Sequence, residues 1–369
     1  MSLRASLESS VMQIWQRRSW RACLLLPLAW LYGALLLMRR LLYRLGWLRI
    51  TQLPVPVIVV GNIFVGGTGK TPMVIWLVEQ LRQRGWRPGV IARGYRADLD
   101  QVAQVLASSD ASIVGDEPLL IKQQTDAPVW VGRSRVASAA QMLHEHPEVD
   151  VVISDDGLQH YALARTIEIQ LSDARGHGNG WLLPAGPLRE PASRRADFFV
   201  VNRSAPSAQP AALAVPTGSE VSAGPEVPEV PAVSAEPLRS VYQMRLHAEF
   251  AEQFVQRSQR QALSSLPHNR RIIAAAGIGH PQRFFDMLNS YGVVLADTIA
   301  LPDHYDYRSN PFRHVRADMI LITEKDAVKC GGTHELASDA RLWVVPVVVA
   351  IDQPLLDNIV EKLRGPSTA

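Results

Sequence analysis

The sequence has 369 residues, of which 47% are hydrophobic and 20% are charged, with a formal net charge of +3. This length allows two domains, the composition is globular rather than disordered, and the small net charge gives no argument for nucleic-acid binding. The two cysteines, Cys23 and Cys330, fit neither a disulfide framework nor a cysteine metal site, which favours a reducing compartment.

The first fifty residues combine an apolar stretch with many arginines. Residues 22–38 carry no charge, and arginines flank them on both sides. Seventeen helical residues span about 25 Å, less than the roughly 30 Å hydrocarbon core of a bilayer. We therefore expect residues 1–50 to form a membrane-associated helical segment that lies in the interface, with its arginines on anionic head groups. A spanning helix and a buried core helix are the alternatives.

A phosphate-binding loop is predicted directly after this segment. The β-branched run 55–60 predicts a strand buried on both faces, residues 61–69 are rich in glycine, and a helical pattern follows near 70–84. This order predicts a nucleotide site at a helix N-terminus, although Phe64 stands where the usual motif has glycine. The alternative is a glycine-rich turn with a surface lysine. The predicted nucleotide-binding residues are Gly66, Gly67, Thr68, Gly69, Lys70 and Thr71, with Lys70 on the terminal phosphates and Thr71 on Mg²⁺.

Strands and helices alternate through the next part of the chain. The predicted strands are 55–60, 88–93, 127–131, 149–154, 166–172 and 197–202, and the predicted helices lie near 70–84, 117–124 and 133–145. Alternation of this kind indicates a mostly parallel sheet flanked by helices, here a P-loop core over residues 51–203. Ligands of such sheets gather at the carboxyl ends of the strands.

A proline-rich stretch separates this core from a second block. Residues 204–237 contain seven prolines and no usable period, which indicates a flexible insertion or linker. Residues 238–369 then predict a smaller C-terminal α/β lobe. Its predicted strands lie near 241–246, 271–276, 293–299, 318–323 and 342–349, and its helices near 281–290 and 354–363.

Carboxylates stand at two predicted element ends. Asp155 and Asp156 follow an apolar strand, and beside a phosphate-binding loop they are expected to serve Mg²⁺, although an Asx turn would account for them alone. Asp116 precedes a helical pattern, where capping is the simpler interpretation and general-base catalysis needs an orienting partner. His304, in a polar aromatic loop, is a further candidate residue, and His280, in a tight turn between glycine and proline, is a weaker one.

Several motifs, in one order, resemble those of the tetraacyldisaccharide 4′-kinase family, the lipid A kinases of Gram-negative bacteria. The resemblance covers nearly all of residues 20–364 apart from the proline-rich stretch. The motifs that carry it lie at 61–72, 92–95, 115–118, 155–160, 183–190 and 323–327.

The resemblance implies a P-loop kinase that uses ATP and Mg²⁺ to phosphorylate the 4′-hydroxyl of a tetraacyldisaccharide 1-phosphate, giving lipid IVA. It implies a monomer at the cytoplasmic face of the inner membrane, monotopic or peripheral through the N-terminal helix. Asp116 would act as base, held by His304 or, failing that, by His280. The other residues that it implies are Lys70, Arg189 and Glu190 in catalysis and Arg135, Asn62 and Tyr95 on the substrate.

A membrane-associated P-loop regulatory ATPase or GTPase switch is the alternative function. That class places a signature lysine where this chain has Val65. Residues 323–326 contain the letters of a guanine-reading motif, but with the wrong spacing.

Overall fold

The computed structural model describes residues 11, 14–94, 102–203, 241–267 and 269–365. The expectations for the stretch 204–237 and for Tyr95 lie outside the described residues. The helices are α1 (Trp20–Leu24), α2 (Leu26–Arg44), α3 (Lys70–Gln83), α4 (Ala111–Val114), α5 (Asp116–Thr125), α6 (Arg135–Glu145), α7 (Pro281–Ser290), α8 (Glu324–Cys330), α9 (His334–Ala337) and α10 (Pro354–Arg364). The strands are β1 (Val57–Asn62), β2 (Pro88–Ala92), β3 (Ala103–Gln104), β4 (Val129–Val131), β5 (Val151–Asp155), β6 (Ile167–Asp173), β7 (Phe198–Asn202), β8 (Val241–His247), β9 (Phe250–Gln253), β10 (Arg260–Ala262), β11 (Ile272–Ala276), β12 (Asp297–Ala300), β13 (Met319–Thr323), β14 (Leu342–Val345) and β15 (Val348–Ile351).

Among the described residues, the first sheet has nine strands in the order β15-β8-β7-β6-β1-β5-β2-β4-β3. Its centre is parallel, with β1 between β5 and β6, and all six residues of β1 are buried. A strand covered on both faces reads as a continuous apolar run, which is why the sequence predicts it well. Helix α3 packs apolar residues such as Leu77 and Leu81 on one face of this sheet. The mostly parallel sheet flanked by helices is therefore confirmed.

The second sheet has six strands in the order β10-β9-β14-β13-β11-β12. Strands β12, β11, β13 and β14 are parallel, and β9 and β10 add an antiparallel edge. Separate apolar clusters cover its two faces, one around Phe284 and Phe285 of α7 and the other around Tyr307 and Phe312. The smaller lobe thus has its own core.

The boundaries between the two sheets differ from the domain boundary expected from the sequence. Strands β8 and β15 pair with each other and extend the first sheet, and Leu355 and Ile359 of α10 pack into the first core. The smaller lobe therefore begins after β8 and ends with β14, whereas the boundary was expected at residue 238. The expected strand 342–349 is two strands, β14 and β15, which belong to different sheets.

Between residues 20 and 44 the described chain forms two helices, because Pro27 lies in the first turn of α2 and Leu25 separates α2 from α1. Helix α2 reaches Arg44, beyond the apolar stretch that the sequence marks. Its exposed side includes Trp30 and Leu37, each 69% exposed. Within the described ranges, no helix combines the length and apolar character needed to cross a bilayer.

Candidate active site

The glycine-rich loop that the sequence predicts to bind phosphate connects β1 to α3 at the carboxyl edge of the first sheet. Gly66 and Gly69 have φ values of 116° and 93°, which favour glycine, and Lys70 begins the helix. Asn62, at the end of β1, donates from Nδ2 to the Gly66 carbonyl over 3.2 Å and accepts from Lys70 Nζ over 3.4 Å. Asn62, which was expected to contact the substrate, thus forms hydrogen bonds to residues at both ends of this loop.

The paired aspartates lie beside this lysine. Lys70 Nζ is 3.8 Å from Asp156 Oδ1, and Arg189 Nη1 donates to Asp156 Oδ2 over 2.9 Å. Burial raises the pKa of the Asp156 carboxyl, but the charges of Lys70 and Arg189 outweigh it and hold that pKa below its usual value. Burial and the carboxylates of Glu117 and Asp156 raise the pKa of Asp155 to about 7.

These oxygens have the chemistry of a magnesium site. Asp155 Oδ1 and Asp156 Oδ1 are buried and accept no hydrogen bond from the residues that the structure describes, and the Thr71 hydroxyl lies in the first turn of α3. Hard oxygen donors of this kind suit Mg²⁺ when phosphate oxygens complete its coordination. Among the described residues, no group of three or more His, Cys, Asp or Glu side chains could hold a metal ion.

Asp116 contacts His304 from the other lobe. Asp116 is the first residue of α5 and is buried, whereas His304 lies in the loop after β12 with a φ of 57°. His304 Nδ1 is 2.9 Å from Asp116 Oδ2, a contact between residues 188 positions apart. Since an ionised carboxylate only accepts, the Nδ1–H of His304 donates. The Oδ1 atom of Asp116 accepts from the Glu117 backbone N–H over 3.0 Å.

Two lysines of α8 complete the surroundings of Asp116. Lys325 Nζ and Lys329 Nζ lie 3.9 Å and 3.6 Å from Asp116 Oδ2. Burial alone would raise the pKa of Asp116, but the hydrogen bond from His304 and the two lysine charges lower it to about 2. Asp116 is therefore ionised at neutral pH and held in one orientation.

Two residues expected at the site, Arg135 and Glu190, have hydrogen-bond partners within the protein. Arg135 is 4% exposed, and its Nη2 donates to the carbonyls of Asp155 and Asp156 over 2.6 Å and 2.9 Å. Glu190 is fully buried and contacts Arg40 of α2, Tyr161 and Arg194. In this arrangement, Arg135 supports the aspartate turn and Glu190 joins α2 to the core.

The structure also brings in residues that the sequence did not single out. Arg175 donates to the Gly67 carbonyl of the phosphate-binding loop over 2.9 Å, and its Nη1 is 2.6 Å from His280 Nε2. His280 is thus paired with Arg175 and not with Asp116. Arg175 stands two residues after Asp173, at the end of a predicted strand, and this position is the sequence signal that could have identified it.

Comparisons with known proteins agree on one family. The model of the family described as tetraacyldisaccharide-1-P 4′-kinase (LpxK) matches residues 21–364. Proteins named tetraacyldisaccharide 4′-kinase are 52% identical to this chain in Janthinobacterium sp. (strain Marseille), over 99% of both chains, and 52% identical in Herminiimonas arsenicoxydans, over 99% of this chain and 98% of the other. The crystal structure of LpxK from Aquifex aeolicus in complex with ATP is 27% identical, with a TM-score of 0.71, over 93% of this chain and 99% of that chain.

Proposed function

The chain belongs to the tetraacyldisaccharide-1-P 4′-kinase family, and we propose that the site described above transfers the γ-phosphate of ATP to the 4′-hydroxyl of a tetraacyldisaccharide 1-phosphate, giving lipid IVA. This is a kinase reaction of lipid A biosynthesis. Such transfers depend on positioning and charge stabilisation more than on covalent chemistry. The groups of the site are accordingly assigned to three tasks: holding the phosphates, holding the metal and accepting the hydroxyl proton.

The phosphate groups of ATP are assigned to the loop between β1 and α3. Backbone N–H groups of residues 66–71 would surround them, and Lys70 would contact the terminal phosphates. Thr71, Asp155 and Asp156 would hold Mg²⁺, which when bound offsets the negative charge that the transferred phosphoryl group carries. Arg189 is assigned to the orientation of Asp156, because its guanidinium donates to that carboxylate.

Asp116 is assigned as the base. The 4′-oxygen attacks the γ-phosphorus, the bond from that phosphorus to the β–γ bridging oxygen breaks, ADP leaves and the hydroxyl proton passes to Asp116. A carboxylate with a pKa of about 2 is a weak base, so the proton would move only as the new bond makes the hydroxyl more acidic. The observation that carries this assignment is the 2.9 Å contact that fixes Asp116 through His304 of the other lobe.

Phosphate transfer from γ-labelled ATP to a tetraacyldisaccharide 1-phosphate in detergent tests these roles. We expect Asp116→Asn and Lys70→Ala each to lower kcat by at least about a hundredfold, since each removes a group that acts in the transition state. Asp357→Asn is the matched control: it removes a carboxylate on α10 that pairs with Arg84 at the surface, and it should keep wild-type activity. Full activity of Asp116→Asn would show that Asp116 is not the base and only stabilises the start of its helix. ATP hydrolysis that needs Lys70 but labels no lipid would favour the switch ATPase instead.

We further propose that the protein acts as a monomer at the cytoplasmic face of the inner membrane, bound through α1 and α2. The support is an apolar surface on these helices, which includes Trp20, Trp30 and Leu37, next to arginines that suit anionic head groups. An acylated sugar could then keep its chains in the bilayer while its head enters the site.

Binding to vesicles that contain anionic lipid tests this placement. The double variant Trp30→Ser/Leu37→Ser should bind at least about tenfold more weakly, because two large apolar side chains no longer enter the interface. Val255→Ser/Val294→Ser, which changes exposed apolar residues of the smaller lobe, is the control and should bind as wild type does. Equal binding of both double variants would contradict the proposed surface.

A further inference from the structure

Arg175 lies where the phosphate-binding loop meets the smaller lobe. Its Nε donates to Asp173 Oδ1 and Oδ2 over 3.0 Å and 2.9 Å, and its Nη2 donates to Asp173 Oδ2 over 2.6 Å. The same Nη2 reaches the Gly67 carbonyl over 2.9 Å. Asp173 is the last residue of β6, which pairs with β1, so the guanidinium is fixed to the sheet that carries the loop.

The loop residue Phe64 packs against the same guanidinium. The Arg175 Cζ atom is 4.5 Å from the centre of the Phe64 ring, a cation–π distance, and Phe64 is 7% exposed. Phe64 is the position at which this chain departs from the usual glycine. Arg175 therefore contacts the loop at two places, through the ring of Phe64 and through the carbonyl of Gly67.

His280 brings the smaller lobe to this cluster. It precedes α7, and its Nε2 is 2.6 Å from Arg175 Nη1, while Arg283 of the same helix is 3.0 Å from Asp173 Oδ2. Arginine only donates, so His280 Nε2 must accept and the ring must be neutral. A protonated His280 has no lone pair for Arg175 and would repel it.

We propose that Arg175 is a positioning residue for the phosphate-binding loop and that its bond to His280 is the contact through which the smaller lobe stabilises that loop for ATP. The proposal rests on the assignment of this loop to ATP. With its carbonyl held by Arg175, Gly67 stays oriented so that neighbouring N–H groups can face an anion. Neither residue needs to touch the reacting atoms for this effect.

A second Asp-Ala-Arg sequence gives a matched control. Arg341 donates to Asp339 from Nε and Nη2 over 2.9 Å and 2.7 Å, the same local arrangement, but in the smaller lobe beside β14. Lysine cannot form the paired hydrogen bonds to Asp173 and also pack against the Phe64 ring. Arg175→Lys should therefore raise the KM for ATP by about tenfold or more, with a smaller change in kcat. Arg341→Lys should leave both constants unchanged. An unchanged KM for ATP in Arg175→Lys would overturn the proposal.

The pH dependence of the KM for ATP tests the link to the smaller lobe. Burial and the charges of Arg175 and Arg283 lower the pKa of His280, opposed by the carboxylates of Asp173 and Asp303. The wild-type KM should therefore rise in acid, where His280 becomes protonated. His280→Gln keeps an acceptor that does not titrate, so this rise should be lost, whereas His280→Ala should have a raised KM at every pH. Parallel pH profiles for wild type and His280→Gln would exclude the link.

Equilibrium binding of a fluorescent ATP analogue separates this proposal from the proposed function. If wild type binds the analogue but labels no lipid, the kinase assignment fails while Arg175 is still tested by the affinity of its variants. Weaker binding in Arg175→Lys and His280→Ala, with wild-type binding in Arg341→Lys, supports the positioning role. Equal binding in all of these variants overturns it.

Discussion

Gly69 shows how one residue fixes the shape of the phosphate-binding loop. Its φ is 93°, and a Cβ atom there would lie 2.8 Å from Asn202 Nδ2 and 2.9 Å from Met244 Cε. Asn202 in turn donates to the Thr68 carbonyl over 3.1 Å. A side chain at position 69 would therefore displace the residue that holds the loop, in addition to straining the backbone.

Gly69→Ala should raise the KM for ATP by about tenfold or more, because the loop must shift. Gly85 is the matched control, since its φ is 87° but a Cβ atom there would meet nothing within 4 Å. Backbone strain should cost both variants about 1 kcal/mol of stability, measured by urea unfolding, and Gly69→Ala should lose more because its Cβ also displaces Asn202 and Met244. Only Gly69→Ala should change the KM. An equal rise in both variants would mean that strain alone, and not the displacement of Asn202, is responsible.

Single residues also show where sequence reasoning stops. Lys70 and Asp156 follow buried strands of one sheet, so parallel pairing brings them to the same edge, and motif order was enough to expect them together. The pairing of Asp116 with His304 needs the fold of the second lobe, and the sequence could only offer His304 and His280 as alternatives. Arg135 and Glu190 are charged residues of the kind found in active sites. Their burial and their partners within the protein, which the sequence does not reveal, determine which contacts they make.

At the scale of elements, α2 is joined to the site as well as exposed to solvent. The Tyr32 hydroxyl donates a hydrogen bond to the Arg189 carbonyl over 2.9 Å, and Arg40 forms an ion pair with Glu190. The side chain of Arg189 binds Asp156, so the inner face of α2 fixes the backbone that carries this arginine. The outer face, with Trp30 and Leu37, is the surface proposed to contact the membrane.

The two faces of α2 should therefore respond differently to substitution. Tyr32→Phe removes one hydrogen bond, worth about 1 kcal/mol, and should lower kcat several-fold without changing vesicle binding. Trp30→Phe keeps a large apolar side chain on the outer face and is the control, with both properties as in wild type. Lipid kinase activity and vesicle binding are measured on the same samples. Loss of vesicle binding in Tyr32→Phe would show that the hydroxyl acts on the helix as a whole.

The elements themselves differ in how well the sequence predicts them. Long, fully buried strands such as β1 and β5 are evident from their apolar runs, because both of their faces are covered. Short elements such as α8 were missed, since seven residues give too little period to detect. The stretch 342–349 has the composition of one strand, and Pro346 is the only local sign that β14 and β15 separate there.

For the whole molecule, the crossing between the two sheets depends on contacts that the sequence does not reveal. Glu324, at the start of α8, accepts from the Val347 N–H over 3.0 Å at the crossing from β14 to β15, and Gln124 of α5 donates to its other oxygen. One carboxyl group thus joins the smaller lobe, the crossing segment and the helix that carries Asp116. Burial raises the pKa of Glu324 to about 7.

A raised pKa makes the stability of this junction depend on pH. Between about pH 4.5 and pH 7, the folded state keeps a proton on Glu324 that the unfolded state has released, so the free energy of unfolding falls as pH rises. The contribution of Glu324 is greatest below that interval, and up to about 3 kcal/mol of it is lost above pH 7. Glu324→Gln does not titrate, keeps a carbonyl oxygen that accepts from the Val347 N–H, and presents an NH2 group that can donate to the side-chain oxygen of Gln124 once that amide turns over. Its stability relative to wild type should therefore increase from pH 5 to pH 8.

Urea unfolding of wild type and Glu324→Gln at pH 5, 6, 7 and 8 measures this difference, in which the titration of all other groups cancels. Glu335→Gln is the control, because Glu335 is an exposed carboxylate of the same lobe that pairs with Arg313 at the surface. Its stability relative to wild type should not change with pH over this range. If the curve of Glu324→Gln runs parallel to that of wild type, the junction carries no buried titrating carboxyl group. If it diverges as expected, the connection between the two sheets weakens as pH rises above neutrality, because an ionised Glu324 must then stay buried between them.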